Sequence, residues 1–501
     1  MNNKAKQLAL SLPVALTLVA CADDGFNEDE KWTSSVQNSQ LENPTIVSIT
    51  KTSTSETEKT VVFTWKVVHG AGGYLLSINN ISDPNQPVAV VTDSLIDRCS
   101  AAMVLPNEQN YEIQLRSASN KKYRNTGSDK PVVAKFDTYV PSVGIPVEAE
   151  IATWMAENLE DMDVEQGFAL TPGATYHLDT IVDFRLNTVE FRGDKLNPPT
   201  IVVGEFGAFM TQGGLKIRDV NIDCSNMAKE TGLLLLSDNP DSRLSTEILG
   251  YKAQGANQDG FVIQKTVSFQ NCKVKNLPKS LLYGKGKNWT LLDFRVQDCI
   301  IQSKSETNTK PIINLTDASN GLIQKLFIVN STFYNSQRNA GENYFLRFSN
   351  SSNAQPRKVL GTSSNFLEWT IEHSSFLRTN PKKDFANNIP NAQNGNALWI
   401  KMTDCVFFDV YRIYQIMASQ WIKTTENNYV SYSDFCSDTE TDHDPSGRTD
   451  QNGNFYTTLD ETPEFEDKQF KELDFSLPNG GLQLAPKGLG GTAQSGDPRW
   501  Y

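Results

Sequence analysis

Phe294-Arg295-Val296-Gln297-Asp298-Cys299-Ile300-Ile301 sets out a frame: apolar, any, apolar, any, any, small or polar, any, apolar. The frame recurs as Val220-x-Ile222-x-x-Ser225-x-Met227, Val267-x-Phe269-x-x-Cys272-x-Val274 and Phe327-x-Val329-x-x-Thr332-x-Tyr334. Two further copies are Trp369-x-Ile371-x-x-Ser374-x-Phe376 and Ile400-x-Met402-x-x-Cys405-x-Phe407, and a worn one holds Ile422, Thr424, Asn427 and Tyr429. Alternating apolar residues make a strand with one buried face. The change of parity before the small residue marks a sharp bend, after which the next strand points inward again. Repetition at intervals of 47, 27, 33, 42, 31 and 22 residues gives one coil per copy with insertions of varying length. That pattern predicts a right-handed parallel β-helix.

The small residue follows from the corner it occupies. Equivalent positions of successive coils stack about 4.8 Å apart, and little volume is left inside a bend. Cys272, Cys299, Thr332, Ser374 and Cys405 are therefore expected to form one buried column. Second apolar runs follow many copies: Leu233 to Leu236, Leu281 to Tyr283, Ile312 to Leu315, Phe345 to Phe348 and Ile413 to Met417. Most end in Ser, Asn, Asp or Gly, as expected of polar turns between short strands.

The N-terminus carries a second message. Lys4 and Lys6 precede an apolar stretch from Leu8 to Ala20, too short to span a bilayer, and Leu18-Val19-Ala20-Cys21 follows. This resembles the bacterial lipobox, which implies lipidation of Cys21, and Ala22-Asp23-Asp24 resembles the surface-export signal of Bacteroidota lipoproteins. Residues 1–20 read as a signal peptide and 21–43 as a polar, flexible tether. Loss of the first twenty residues takes the net charge from −13 to −15, a balance that argues against a nucleic-acid partner. The seven cysteines show no dense disulfide framework and no CxxC metal pattern.

Residues 44–140 follow a different rule. Val61-x-Phe63-x-Trp65 and Gly73 to Ile78 are strands, and Leu105-Pro106 followed by Tyr111 to Leu115 resembles the tyrosine-corner strand of fibronectin type III domains. The resemblance implies that the Tyr111 hydroxyl bonds back to the backbone. Residues 141–164 read as a linker and an amphipathic capping helix over 147–159, with Ile151, Met155 and Leu159 on one face and Glu148 and Glu150 in the first turn. Residues 165–460 read as the β-helix, with Leu170 to Tyr176 and Val189 to Gly193 resembling the opening coils of pectate-lyase-like proteins. Residues 461–501, ending in Gly496-Asp497-Pro498-Arg499-Trp500, read as a closing segment. The combination resembles uncharacterised Bacteroidota surface lipoproteins associated with polysaccharide utilisation. It implies an outer-membrane, lipid-anchored protein whose partners are a polysaccharide, plant cell-wall or uronate-containing, and outer-membrane glycan-import proteins.

Outward positions of the frame are where a site could lie. Aligning the copies places Trp399 beside Trp421 and Lys401 beside Lys423, a face that could stack sugar rings and meet carboxylates. A β-eliminating lyase instead needs a base beside a uronate carboxylate and cations to neutralise it. Arg295 and Lys401 are candidate bases, Glu372 and His373 a further candidate pair, and Asp298 and Asp404 candidate Ca2+ ligands. The Asp residues have an ordinary alternative role in capping bends. Family motifs of pectate lyases and polygalacturonases are absent. Two functions stay open: a non-catalytic surface protein that binds or presents polysaccharide, and a polysaccharide lyase or glycoside hydrolase with an unfamiliar site.

Overall fold

The computed structural model describes residues 36–55, 57–228, 231–284, 286–304, 310–316, 321–337, 344–349, 355–361, 367–389, 398–413, 422–431, 457–458, 470–484 and 495–501. The chain divides into two compact units, Met1–Val140 and Pro141–Tyr501. The first unit is an antiparallel sandwich. Ile46–Ser53, Glu58–Trp65 and Ser100–Pro106 form one sheet; Val88–Ile96, Tyr74–Asn80, Asn110–Ser117 and Val132–Asp137 form the other. Alternation in Glu58–Trp65 buries Val61, Phe63 and Trp65 against Leu76, Ile78, Ile113 and Leu115. The Tyr111 hydroxyl donates to the Pro106 carbonyl at 3.3 Å, the corner bond expected from the sequence. Burial pushes that phenol up to about 12.

The second unit is a right-handed parallel β-helix. Each full coil runs through three parallel sheets. The first sheet holds Val267–Gln270, Trp289–Gln297, Leu322–Val329, Leu367–Glu372 and Leu398–Thr403. The second holds Lys273–Leu277, Ile300–Ser303, Thr332–Asn335, Ser375–Leu377 and Val406–Phe408. The third holds the second apolar runs, among them Gly232–Leu236, Ser280–Gly284 and Ile313–Leu315. Residues 414–417 of the expected Ile413 to Met417 run lie outside the described residues.

The corner column exists, with three changes of membership. Its residues are Val220, Cys272, Cys299, Ser331, Ser374, Cys405 and Asn428, because the first-sheet pairs are Ile217↔Phe269, Val296↔Ile328 and Met402↔Thr425. Thr332, expected in the column, is instead level with Ile300 and opens the next strand. Ser225 and Asn427 are likewise displaced by Val220 and Asn428. Leu326 to Val329 is four apolar residues in a row, so alternation alone could not tell Leu326 and Ile328, which point inward, from their neighbours.

The column is held by a repeating hydrogen-bond pattern. Each thiol or hydroxyl donates to the carbonyl two residues earlier: Cys299 to Gln297 at 3.1 Å, Ser331 to Val329 at 2.8 Å, Ser374 to Glu372 at 2.8 Å. Each also accepts a backbone N–H from the preceding coil. Cys272 donates to Cys299 Sγ at 3.4 Å, Cys299 to Ser331 Oγ at 3.1 Å, and Ser331 to Ser374 Oγ at 3.3 Å. A short side chain that both donates and accepts suits these positions, which explains Cys and Ser here. Burial raises the Cys272 and Cys405 thiols far above their ordinary values, keeping them protonated donors. Replacing Cys299 by Phe should overpack the corner and orphan the Cys272 N–H, costing about 1 to 3 kcal/mol for each effect. Urea unfolding would show this loss, and a Cys299→Ser variant should recover most of it.

One residue before the column, the backbone enters the left-handed region at every bend: Asp219, Asn271, Asp298, Asn330, His373, Asp404 and Asn427 have φ between 46° and 56°. Asn and Asp tolerate this conformation better than other non-glycine residues. Their side chains also bond up the stack. Asn271 Nδ2 donates to Asp219 at 2.7 Å, Asn330 to Asp298 at 3.1 Å, and Asn427 to Asp404 at 3.0 Å.

The N-terminal end of the coil stack is covered by a helix. The N-terminal helix spans Ile151–Asn158, shorter than the 147–159 expected, because Glu150 is its N-cap and accepts from Thr153 N–H at 2.7 Å. Ile151, Met155 and Leu159 are buried with Phe168, Tyr176 and Val182. Within the expected linker, Ser142–Gly144 already joins the first sheet beside Gln166–Ala169. On the flank of the stack, the outward residues Ile300, Tyr334, Leu377, Val406 and Phe408 of the second sheet pack under Phe470, Leu473, Leu482, Leu484 and Trp500. The closing segment is therefore a strap along the flank of several coils.

Candidate functional site

The first sheet's outer face on the last coils gathers most of the polar candidates. Its strands place Lys325, Glu368 and Trp399 on one row and Arg295, Phe327, Thr370, Lys401 and Thr424 on the next. Gln297, Val329, Glu372, Thr403 and Glu426 form a third row. Trp399 is 37 % exposed, the one large aromatic side chain among the described residues of this face that reaches solvent so far.

Charges on the face are matched in pairs. Lys401 Nζ meets Glu372, which also accepts from Thr403 Oγ1 at 3.2 Å. Lys325 lies 3.8 Å from Glu368. Arg295 is bound to Asp293 at 2.7 Å on its own strand, and its guanidinium sits 4.6 Å from the centre of the Phe327 ring. His373 Nε2 lies 3.8 Å from Asp404.

These positions divide the candidates. Lys401, Glu372, His373 and Asp404 come together on adjacent coils. Arg295 and Asp298 are three coils from Lys401 and Asp404, about 14 Å at the coil spacing. Asp298 and Asp404 therefore do not share one ion, and no group of three potential metal ligands forms among the described residues. Asp298, His373 and Asp404 all stand at left-handed bends, so each has a structural reason to be where it is.

The proposed tryptophan and lysine stacks need correction. Trp399 is level with Ile422, and Lys401 with Thr424; Lys423 is level with the inward Ile400. The last copy is shifted by one residue because Asn427 takes the left-handed bend and Asn428 the corner. Trp421 lies outside the described residues, as do Cys21 and the lipobox. Lys325 and Phe327 belong to this face although the sequence pattern places Leu326 and Ile328 outward instead. Asn or Asp immediately before a small residue was the signal that would have aligned the copies.

Residues 2–172 match a domain of unknown function, DUF4992, and residues 174–336 match another, DUF4957. No curated protein matches significantly. Among solved structures, the chain is similar to pectate lyase Pel3 from Pectobacterium carotovorum at 10 % identity, covering 73 % of this chain and 86 % of that one, with a TM-score of 0.16. Pectate lyase PelI from Erwinia chrysanthemi, solved with tetragalacturonic acid, is similar at 10 % identity over 73 % of this chain and 85 % of its own, with a TM-score of 0.14.

Proposed function

We propose that this chain is a non-catalytic, lipid-anchored surface protein that binds or presents polysaccharide in a glycan-utilisation system. The observation that carries the reading is Trp399, 37 % exposed on a flat coil face and flanked by the Lys401–Glu372 and Lys325–Glu368 pairs. Sugar rings present apolar C–H patches to aromatic faces, and their hydroxyls exchange hydrogen bonds with ion-paired groups. The candidate bases support binding over elimination, because Arg295 is engaged by Asp293 and Lys401 by Glu372. Anchoring rests on the lipobox-like Leu18-Val19-Ala20-Cys21.

Removing the Trp399 platform tests the reading. A stacked ring contributes roughly 0.5 to 1.5 kcal/mol. Trp399→Ala should therefore weaken retention in affinity electrophoresis about two- to tenfold, with an unchanged circular dichroism spectrum. Unchanged retention on a glycan the native protein binds would remove Trp399 from the site. Unsaturated products absorbing in the ultraviolet would replace the binding reading with a lyase.

A further inference from the structure

We infer that the glycan held by this face is uncharged, a conclusion that rests on the glycan-binding reading and narrows its ligand class. A polyuronate carries one carboxylate per sugar and needs cations that are available to it. On the described part of this face the three basic side chains are Arg295, Lys325 and Lys401, and each already faces a carboxylate: Asp293, Glu368 and Glu372. Asp298, Asp404 and Glu426 add negative charge beyond those pairs. Asp298 and Asp404 are bonded by the neutral amides of Asn330 and Asn427 rather than by Arg or Lys. Neither bond brings in an Arg or Lys, and His373 Nε2 lies 3.8 Å from Asp404; exposed charges act over roughly 10 Å at 0.1 M salt. A polyuronate laid across the coils would meet net repulsion.

The same geometry suits a neutral chain. Trp399 offers the stacking surface, while the carboxylates accept from sugar hydroxyls and Thr370, Thr424 and Lys401 add short and long donors beside them. The Lys325–Glu368 and Lys401–Glu372 pairs join successive coils, which lie about 4.8 Å apart. A carboxylate already held by a lysine can accept a hydroxyl without a new charge being desolvated, whereas a uronate would have to break the pair first.

Affinity electrophoresis of the native protein decides the class. The probes are neutral polysaccharides (a β-glucan, a galactomannan and an α-mannan) and acidic ones (polygalacturonate and alginate), each run with EDTA and with calcium. Retention is expected on at least one neutral probe, at least tenfold stronger than on either acidic one, and reduced in Trp399→Ala. A Glu368→Gln/Glu372→Gln variant, which releases Lys325 and Lys401, should gain salt-sensitive retention on polygalacturonate. Equal or stronger binding of an acidic probe by the native protein overturns the inference and leaves glycan binding standing. Binding of an acidic probe only with calcium overturns it too, since the cation then supplies the missing charge. Retention on none of the probes overturns the glycan-binding reading itself.

Discussion

Phe376→Ala should destabilise the β-helix by about 5 kcal/mol, the upper end of the range for a buried phenylalanine. Phe376 is fully buried and stacks between Phe333 and Phe407, with centroids 5.6 and 5.2 Å away and planes within 9°. It also meets the edges of Phe345 and Phe385 at 5.1 and 5.0 Å. Truncation leaves a cavity and removes four aromatic contacts, each worth roughly 0.5 to 1.5 kcal/mol beyond area burial. Coils contact only their neighbours, so the damage should be local. Hydrogen exchange should quicken in Ser375–Leu377 and Val406–Phe408 while Thr200–Val203 stays protected. Phe376→Leu, which loses the ring contacts but keeps more of the volume, should cost less than the alanine variant. A loss below 1 kcal/mol for the alanine variant would show that the stack does not hold these coils together.

What could be read from the sequence divides along a physical line. Alternation with a parity switch is a property of single strands, so Val267-x-Phe269 and Phe294-x-Val296 announced coils without any structure. The sandwich strands around Trp65 and Tyr111 were legible for the same reason. Register between coils depends on the bend, and the bend is set by a left-handed backbone residue rather than by hydrophobicity. Where both parities are apolar, as at Leu326 to Val329, or where neither is, as at Lys423 to Glu426, the pattern slips by one. That slip created the Trp399–Trp421 and Lys401–Lys423 stacks. The candidate site was legible as a face, because outward positions follow from strand parity. Its pairings were not, since Lys401 meets Glu372 across a 29-residue separation that only coil register defines. The closing segment was visible as a Gly-Asp-Pro-Arg-Trp ending, but its contacts lie 120 to 170 residues away in the chain.

The terminal strap should loosen as pH rises from about 4 to 6, because Asp497 is buried with few compensating charges. Its carboxylate accepts from Thr332 Oγ1 at 2.8 Å and pairs with Arg499 Nε at 3.2 Å. Asp497 N–H donates to Ser375 Oγ at 3.1 Å, Trp500 Nε1 donates to Thr332 Oγ1 at 2.8 Å, and Gly496 N–H donates to the Asp404 carbonyl at 2.7 Å. Burial pushes the carboxyl up to about 6; Arg499 and the Thr332 bond pull against it, and the Asp298 charge adds to the rise. A folded value above the unfolded one of about 3.9 means the folded chain binds more protons between those values. Stability from this group is therefore complete below pH 4 and lost as pH climbs through 6, by about 3 kcal/mol at 1.36 kcal/mol per unit. Asp497→Asn keeps the shape and the acceptor but cannot titrate. Other groups titrate in the same range, so the measurement is the difference in urea unfolding free energy between native protein and Asp497→Asn at each pH. That difference should shift by about 3 kcal/mol against the native protein from pH 4 to 7. A flat difference would mean that Arg499 and the hydroxyl of Thr332 hold the carboxylate ionised throughout, and that the strap is indifferent to pH.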